Sequence, residues 1–158
     1  MKRLRGVMSI NLEGLNLGPH DQLPVLLTDL LANCPLLHTV NLYKCYCSSS
    51  HFGINHSRKG LVEQTLLQHR PVLSNLCIEA SSAGLKKIVH GLTSLKSLHL
   101  MANCDGINTD ITNSALLAAF GAASASSDSG VLPQLTAASL CGLSGVTSVG
   151  VLGMLKVY

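Results

Sequence analysis

Four side chains of the kinds that bind zinc fall within twelve positions: Cys45, Cys47, His51 and His56. Thiolate sulfur and imidazole nitrogen are the usual zinc donors. The H-x-x-x-x-H spacing of the two histidines suits a metal. The C-x-C spacing is shorter than the two to four intervening residues of structural zinc sites, and only three residues separate Cys47 from His51. The expectation is therefore a structural cysteine beside a polar loop, with these four residues as the only metal candidates and no metal bound.

Nucleophilic chemistry finds less support. Ser144 lies between Gly142 and Gly145, but G-x-S-G-V lacks the glycine two residues after serine that a nucleophile elbow needs. No glycine-rich phosphate loop is followed by lysine. Cys77 and His99 would be neighbours if they lie on adjacent strands. A working Cys–His pair also needs an orienting group and an oxyanion site, and nothing in the sequence suggests either. The expectation is no catalytic residue, no cofactor and no enzyme activity; a Cys/His-dependent enzyme is the minor alternative.

The elements that would position these residues follow from composition. The chain has 158 residues, enough for one domain or part of a larger one. Charged residues make up 12%, about half the usual share, and the mean hydropathy is +0.37. That excludes an intrinsically disordered chain. Leucine occurs 30 times, tryptophan never, tyrosine three times and phenylalanine twice, so the core must be aliphatic. A net charge of +3, with basic clusters no larger than those at 1–5, 58–59 and 86–87, implies no nucleic-acid partner. Six cysteines without a secretory leader read as reduced thiols in the cytosol or nucleus, and the Asn55-His56-Ser57 triplet then carries no glycan. Residues 129–155 are uncharged, but Pro133 and Gly142, Gly145, Gly150 and Gly153 interrupt them. A strand, a turn and an amphipathic helix are expected there, not a membrane span.

An internal repeat organises the chain. Its clearest copy is Cys34-Pro35-Leu36-Leu37-His38-Thr39-Val40-Asn41-Leu42-Tyr43-Lys44-Cys45, with the skeleton C-P-x-L-x-x-V-x-L-x-x-C. A second is Leu92, Leu95, Leu98, Leu100 and Asn103; a third is Leu132, Leu135, Ala138, Leu140 and Leu143. Leu73, Leu76, Ile78 and Ser81 form a weaker copy, and Leu4, Val7, Ile10, Leu12 and Leu15 another. The x-L-x-L-x centre is a short strand whose alternate side chains face opposite ways. The closing Asn or Cys can bond backbone groups inside the turn that have no ladder partner. Each unit is too small to bury its own apolar edge, so copies must stack into one core and one parallel sheet. Ile10, Val40, Leu76, Leu98 and Ala138 are then equivalent, at steps of 30, 36, 22 and 40 residues. Between strands, helix spacing predicts helices over 21–31, 59–67, 109–120 and 146–155, with Asp110 or Thr112 capping the third. Flexible insertions are expected near 46–58 and 121–130.

This pattern resembles the leucine-rich repeat proteins, most closely their cysteine-containing subfamily. Ile107-Asn108-Thr109-Asp110 looks like that family's step into the convex helix. The resemblance implies an α/β solenoid, a horseshoe with a parallel β-sheet on the concave side and helices on the convex side, in about five irregular repeats. It also implies a single domain over 1–158, whole or as a fragment of a longer solenoid, and a protein partner. Cysteine-containing repeats are common in F-box proteins, where they select substrates for ubiquitin ligases.

In that geometry one concave row is Asn11, Asn41, Cys77, His99 and Ser139, and the next is Glu13, Tyr43, Glu79, Met101 and Cys141. The partner-binding candidates are Asn41, Tyr43, Glu79, His99 and Met101, with the large amphipathic or adaptable side chains Tyr43, His99 and Met101 foremost. The functional expectation is a rigid interaction module. The alternative is an incomplete solenoid without independent activity, since polar capping units are not visible and the low charge predicts poor solubility.

Overall fold

The computed structural model describes residues 5–15, 22–45, 56–68, 73–101, 111–121 and 135–155. Strands and helices alternate through them: β1 Ser9–Asn11, α1 Gln22–Asn33, β2 Thr39–Asn41, α2 His56–Gln68, β3 Asn75–Ile78, α3 Ser82–Gly91, β4 Ser97–Met101, α4 Asn113–Phe120, β5 Ala137–Cys141 and α5 Ser148–Leu155. The five strands form one parallel sheet in the order β1-β2-β3-β4-β5. Each helix packs on the next in chain order. The architecture is α/β, and its one-directional stacking is compatible with a solenoid.

The register is the one the repeat predicts. Ile10 pairs with Val40, Val40 with Leu76, Leu76 with Leu98 and Leu98 with Ala138. Val40, Leu76, Ile78, Leu98 and Leu100 are buried, while Asn41, Cys77 and His99 between them are half-buried or exposed. Strand alternation thus puts the leucines toward the helices and leaves the other face open. Leu37, Leu73, Leu92 and Leu95, ahead of the strands, complete the core with Leu27, Leu66, Leu85, Ile88 and Leu116 from the helices.

Several boundaries differ from the sequence expectation. A helix over 82–91 was not expected and is present as α3. Its signal is Leu85, Ile88, Val89 and Leu92 at helix spacing after Ser81, whose hydroxyl accepts the Gly84 N–H at 3.0 Å. Ser81 therefore caps a helix instead of closing a repeat turn. His56, Ser57 and Arg58 belong to α2, which shortens the expected polar insertion. Thr112, not Asp110, caps α4, accepting the Ala115 N–H. Ala138 and Leu15, expected to face inward, are exposed. Ala138 lies on β5 and Leu15 in the turn that follows β1, the outermost described units, where a neighbouring unit covers one side only. Leu4, Leu132, Cys104, the step at 107–110 and the insertion beyond Gly121 lie outside the described residues.

The helix layer is tied together by a polar contact used twice. On α2, Glu63 is 2% exposed and accepts both the Ser81 N–H and its hydroxyl at 3.1 Å. On α4, Asn113 Oδ1 accepts the Thr147 N–H at 2.9 Å and its amide donates to the Thr147 hydroxyl at 2.8 Å. In each case the residue before a helix is held by a polar side chain of the preceding helix. Three residues further on stands a glycine, Gly84 or Gly150, where a Cβ would run into that Glu63 carboxylate or Asn113 amide. Glu63→Ala is expected to destabilise the fold by about 1–3 kcal/mol, the cost of stranding buried donors. Gly84→Ala should destabilise as well, although alanine favours a helix by about 1 kcal/mol. Urea unfolding followed by circular dichroism measures both, and a stabilised Gly84→Ala would refute the contact.

Candidate functional site

The open face of the sheet carries the sequence-selected residues in two rows. In the first, Asn11, Asn41, Cys77, His99 and Ser139 are direct cross-strand partners. Adjacent strands lie about 4.8 Å apart, so the row is a continuous ladder of side chains. The second row stands two residues further along each chain: Glu13, Tyr43, Glu79, Met101 and Cys141. Met101 pairs with Cys141 inside the sheet. Past the ends of β1 and β2 the chains stay in step, because the Gly14 N–H donates to the Tyr43 carbonyl and the Leu42 N–H to the Cys77 carbonyl, both at 2.9 Å.

The turn that sets the second row is built from asparagine. Asn11 Oδ1 accepts the Glu13 N–H and Asn41 Oδ1 accepts the Tyr43 N–H, each at 3.0 Å. Asparagine side chains close such turns readily, two residues ahead. The Asn41 amide also donates to the Glu13 carboxylate at 3.3 Å. Lys44 follows with φ +53°, a left-handed conformation rare for a residue with a Cβ. Its ammonium lies 4.9 Å from the centre of the Tyr43 ring. Lys44 was not among the sequence candidates, and the N-x-Y-K order after the strand is the signal that contained it. Tyr43, Glu79 and Met101 are half-buried, and His99 is exposed with its Nε2 3.2 Å from the Ser97 hydroxyl.

The structure places Cys45 in the role of turn closer. Its thiol donates to the Leu12 carbonyl of the preceding unit at 2.8 Å. Burial pushes its pKa up to about 11, against the pull of the Leu15 backbone N–H, and nearby Glu79 and Cys77 add to the rise. A zinc ligand must be a thiolate, so this environment works against Cys45 as one. Cys47 and His51 lie outside the described residues, and His56 opens α2. Among the described residues no group of three or more His, Cys, Asp or Glu is placed to hold a metal ion.

Cys77 and His99 do sit side by side on β3 and β4. Burial raises the Cys77 pKa, and the charges of Glu13, Cys141 and Glu79 raise it further. A nucleophilic cysteine needs the opposite, a positive environment that favours the thiolate. The arrangement offers hydrogen-bonding and apolar side chains in fixed order on the sheet.

Compared with protein-family models and with curated proteins, the chain matches none. No helix among the described residues is long and apolar enough to cross a membrane.

The thiol environments give a direct check. With a pKa of about 11, Cys45 is about one part in a thousand thiolate at about pH 8. Iodoacetamide should therefore modify it far more slowly than a free peptide thiol, with a rate rising about tenfold per pH unit until the pH reaches that pKa. Peptide mass spectrometry across pH reads the rate; fast labelling near neutrality would contradict the buried, hydrogen-bonded thiol.

Proposed function

We propose that the chain is a non-enzymatic protein-interaction module of the leucine-rich repeat type, presenting the open face of its sheet to a protein partner. One observation carries this reading: two rows of polar, aromatic and sulfur-bearing side chains are held in register by a sheet whose other face is the core. A preorganised surface loses little conformational freedom on docking, so more of the contact energy appears as affinity. Tyr43, His99 and Met101 supply the large contacts, and Asn41 and Glu79 the polar ones. Selection of a substrate for a ubiquitin ligase in the cytosol or nucleus is the specific role that the repeat resemblance suggests. The in-register pairing at every step favours the horseshoe form of the solenoid, and small-angle scattering of the purified chain would show its curvature.

The test is capture from cell lysate by the full chain and by two double variants. Tyr43→Ala with Met101→Ala removes large side chains from the open face. Lys86→Ala with Lys87→Ala changes exposed residues of α3 on the helix side. A partner lost with the first and retained with the second is the expected outcome, with a loss of about 2 kcal/mol or more if Tyr43 is an anchor. Partners retained by both variants would remove this face from the binding surface. Ligase components absent from every capture would remove the ubiquitin role while leaving the module intact.

A further inference from the structure

The two outer edges of the sheet present what its inner junctions have already used. Among the described strands β1 pairs only with β2, and β5 only with β4. Backbone groups of successive residues in a strand point to opposite edges. The Leu12 N–H donates to the Asn41 carbonyl, so the backbone groups of Ser9 and Asn11 face outward from β1. The Ala137 N–H donates to the Lys96 carbonyl, so those of Ala138 and Leu140 face outward from β5. At each inner junction a carbonyl just ahead of one strand accepts two successive N–H groups at the start of the next, from Met8 with His38 and Thr39 to Lys96 with Thr136 and Ala137. Thr136 holds the next place in that series, and no N–H among the described residues reaches its carbonyl. Met8 and Ser9 hold the place of the donor pair, on the side of β1 where no described strand lies. The inward row shows the same gap. Leu98 and Leu100 on β4 are buried, while at the matching places on β5 Ala138 is exposed and Leu140 half-buried. Val40 and Leu42 are buried, while Ile10 and Leu12 are half-buried. Of the eight exposed large hydrophobic side chains among the described residues, six belong to the outer units: Met8, Leu15 and Val25 at one end, Val149, Leu152 and Leu155 at the other. Sheet edges are commonly blunted by charge or proline. Residues 135–155 contain neither.

We propose that copies of this chain associate head to tail, the outer edge of β1 in one copy pairing in parallel with the outer edge of β5 in another. The Thr136 carbonyl of one copy accepts the Met8 and Ser9 N–H groups of the other. That sets Ala137 opposite Ser9, Ala138 opposite Ile10 and Ser139 opposite Asn11. The junction continues the interface already present between units of one chain, with the same acceptor position, the same donor pair and the same strand direction. It covers Ala138 and Leu140 with Ile10 and Leu12, and brings the exposed side chains of α5 beside α1. A second copy is the occupant because it carries the donor pair and the under-covered apolar row together, in the register that the β5 edge repeats. Joining unlike ends leaves one free end of each kind, so association runs past two copies unless the ring closes. The contact is separate from the open face, since Tyr43 and Met101 lie on neither outer edge.

Sedimentation velocity of the full chain, over a concentration range of about two orders of magnitude, reads the association. The average mass is expected to rise with concentration and to pass that of two copies. Two variants separate the ends. Ser9→Pro removes an outward N–H from β1 and Ala138→Pro one from β5, each leaving the bonds to the inner neighbour in place. Each variant alone should need about tenfold more protein to associate, the effect of about one unmade backbone hydrogen bond. Mixed in equal amounts they should form a species of two copies and stop there, because Ala138→Pro keeps its β1 edge and Ser9→Pro its β5 edge. Circular dichroism checks that both retain the fold; if one does not, Ser9→Lys and Ala138→Lys place charge on the same edges at exposed positions. A chain that stays monomeric throughout the range would overturn the proposal. So would a Ser9→Pro chain that associates as well as the unaltered one, which would point to pairing of like ends, or a mixture that forms no two-copy species.

Discussion

Every strand after the first enters the sheet through a shared carbonyl. The Met8 carbonyl accepts the N–H groups of His38 and Thr39, that of His38 accepts Ser74 and Asn75, that of Ser74 accepts Lys96 and Ser97, and that of Lys96 accepts Thr136 and Ala137. The residue just ahead of one strand therefore sets the position of the next. This forked contact recurs at steps of very different length, so the intervening insertions do not disturb the register. Strands of three to five residues could not hold together by their ladders alone. Here the fork fixes where pairing begins, the ladder carries it forward, and a buried aliphatic residue on each of the three middle strands secures the inner face. Burying such a side chain contributes about 1.5–3 kcal/mol, which makes the row of Val40, Leu76 and Leu98 a larger source of stability than any polar contact beside it.

The helix layer answers the same constraint with different residues. Once the strands are in step, consecutive helices lie side by side, and their first turns must be satisfied in a partly buried setting. Glu63 on Ser81 and Asn113 on Thr147 do this from corresponding places: each accepts the backbone N–H, while the hydroxyl donates to Glu63 and accepts from Asn113. The glycine three residues into each following helix is what allows the close approach. Conserved geometry with changed residue types shows a packing requirement, and it explains why these units look more alike in space than in sequence. Ser81 also caps α3 through its hydroxyl, so one side chain belongs to two elements at once.

Much of this was legible because leucine spacing encodes alternation directly. The equivalence of Ile10, Val40, Leu76, Leu98 and Ala138 follows from x-L-x-L-x centres alone, whatever the loop lengths. The two rows of the open face then follow by counting one and three residues on, and Asn41, Tyr43, Glu79, His99 and Met101 fall where that count puts them. What local pattern could not show is what depends on distant partners. The Glu63 carboxylate on α2 bonds a residue eighteen positions away, so nothing around it in sequence marks it as structural. The helix at 82–91 is obscured because Lys86-Lys87 reads as a surface charge pair, while Leu85, Ile88 and Val89 around it carry the helix period. The exposure of Ala138 depends on its strand being outermost among those described, a property of position in the stack and not of the residue.

The same geometry explains why the face that is free to bind is poorly suited to cysteine chemistry. Side chains pointing away from the core bond among themselves, as Asn41 does to the Tyr43 N–H and the Glu13 carboxylate, and these contacts set their order on the sheet. Cys77 nevertheless sits low between its neighbours on a crowded ladder, partly desolvated and beside two carboxylates, and both conditions favour the neutral thiol. Cys45 is held further from reactivity by its hydrogen bond to Leu12. Burial is the larger cause at both thiols, and the charges of Glu13 and Glu79 add to it at Cys77. At both positions the surroundings favour the neutral thiol, so the thiolate that cysteine chemistry requires is the disfavoured form.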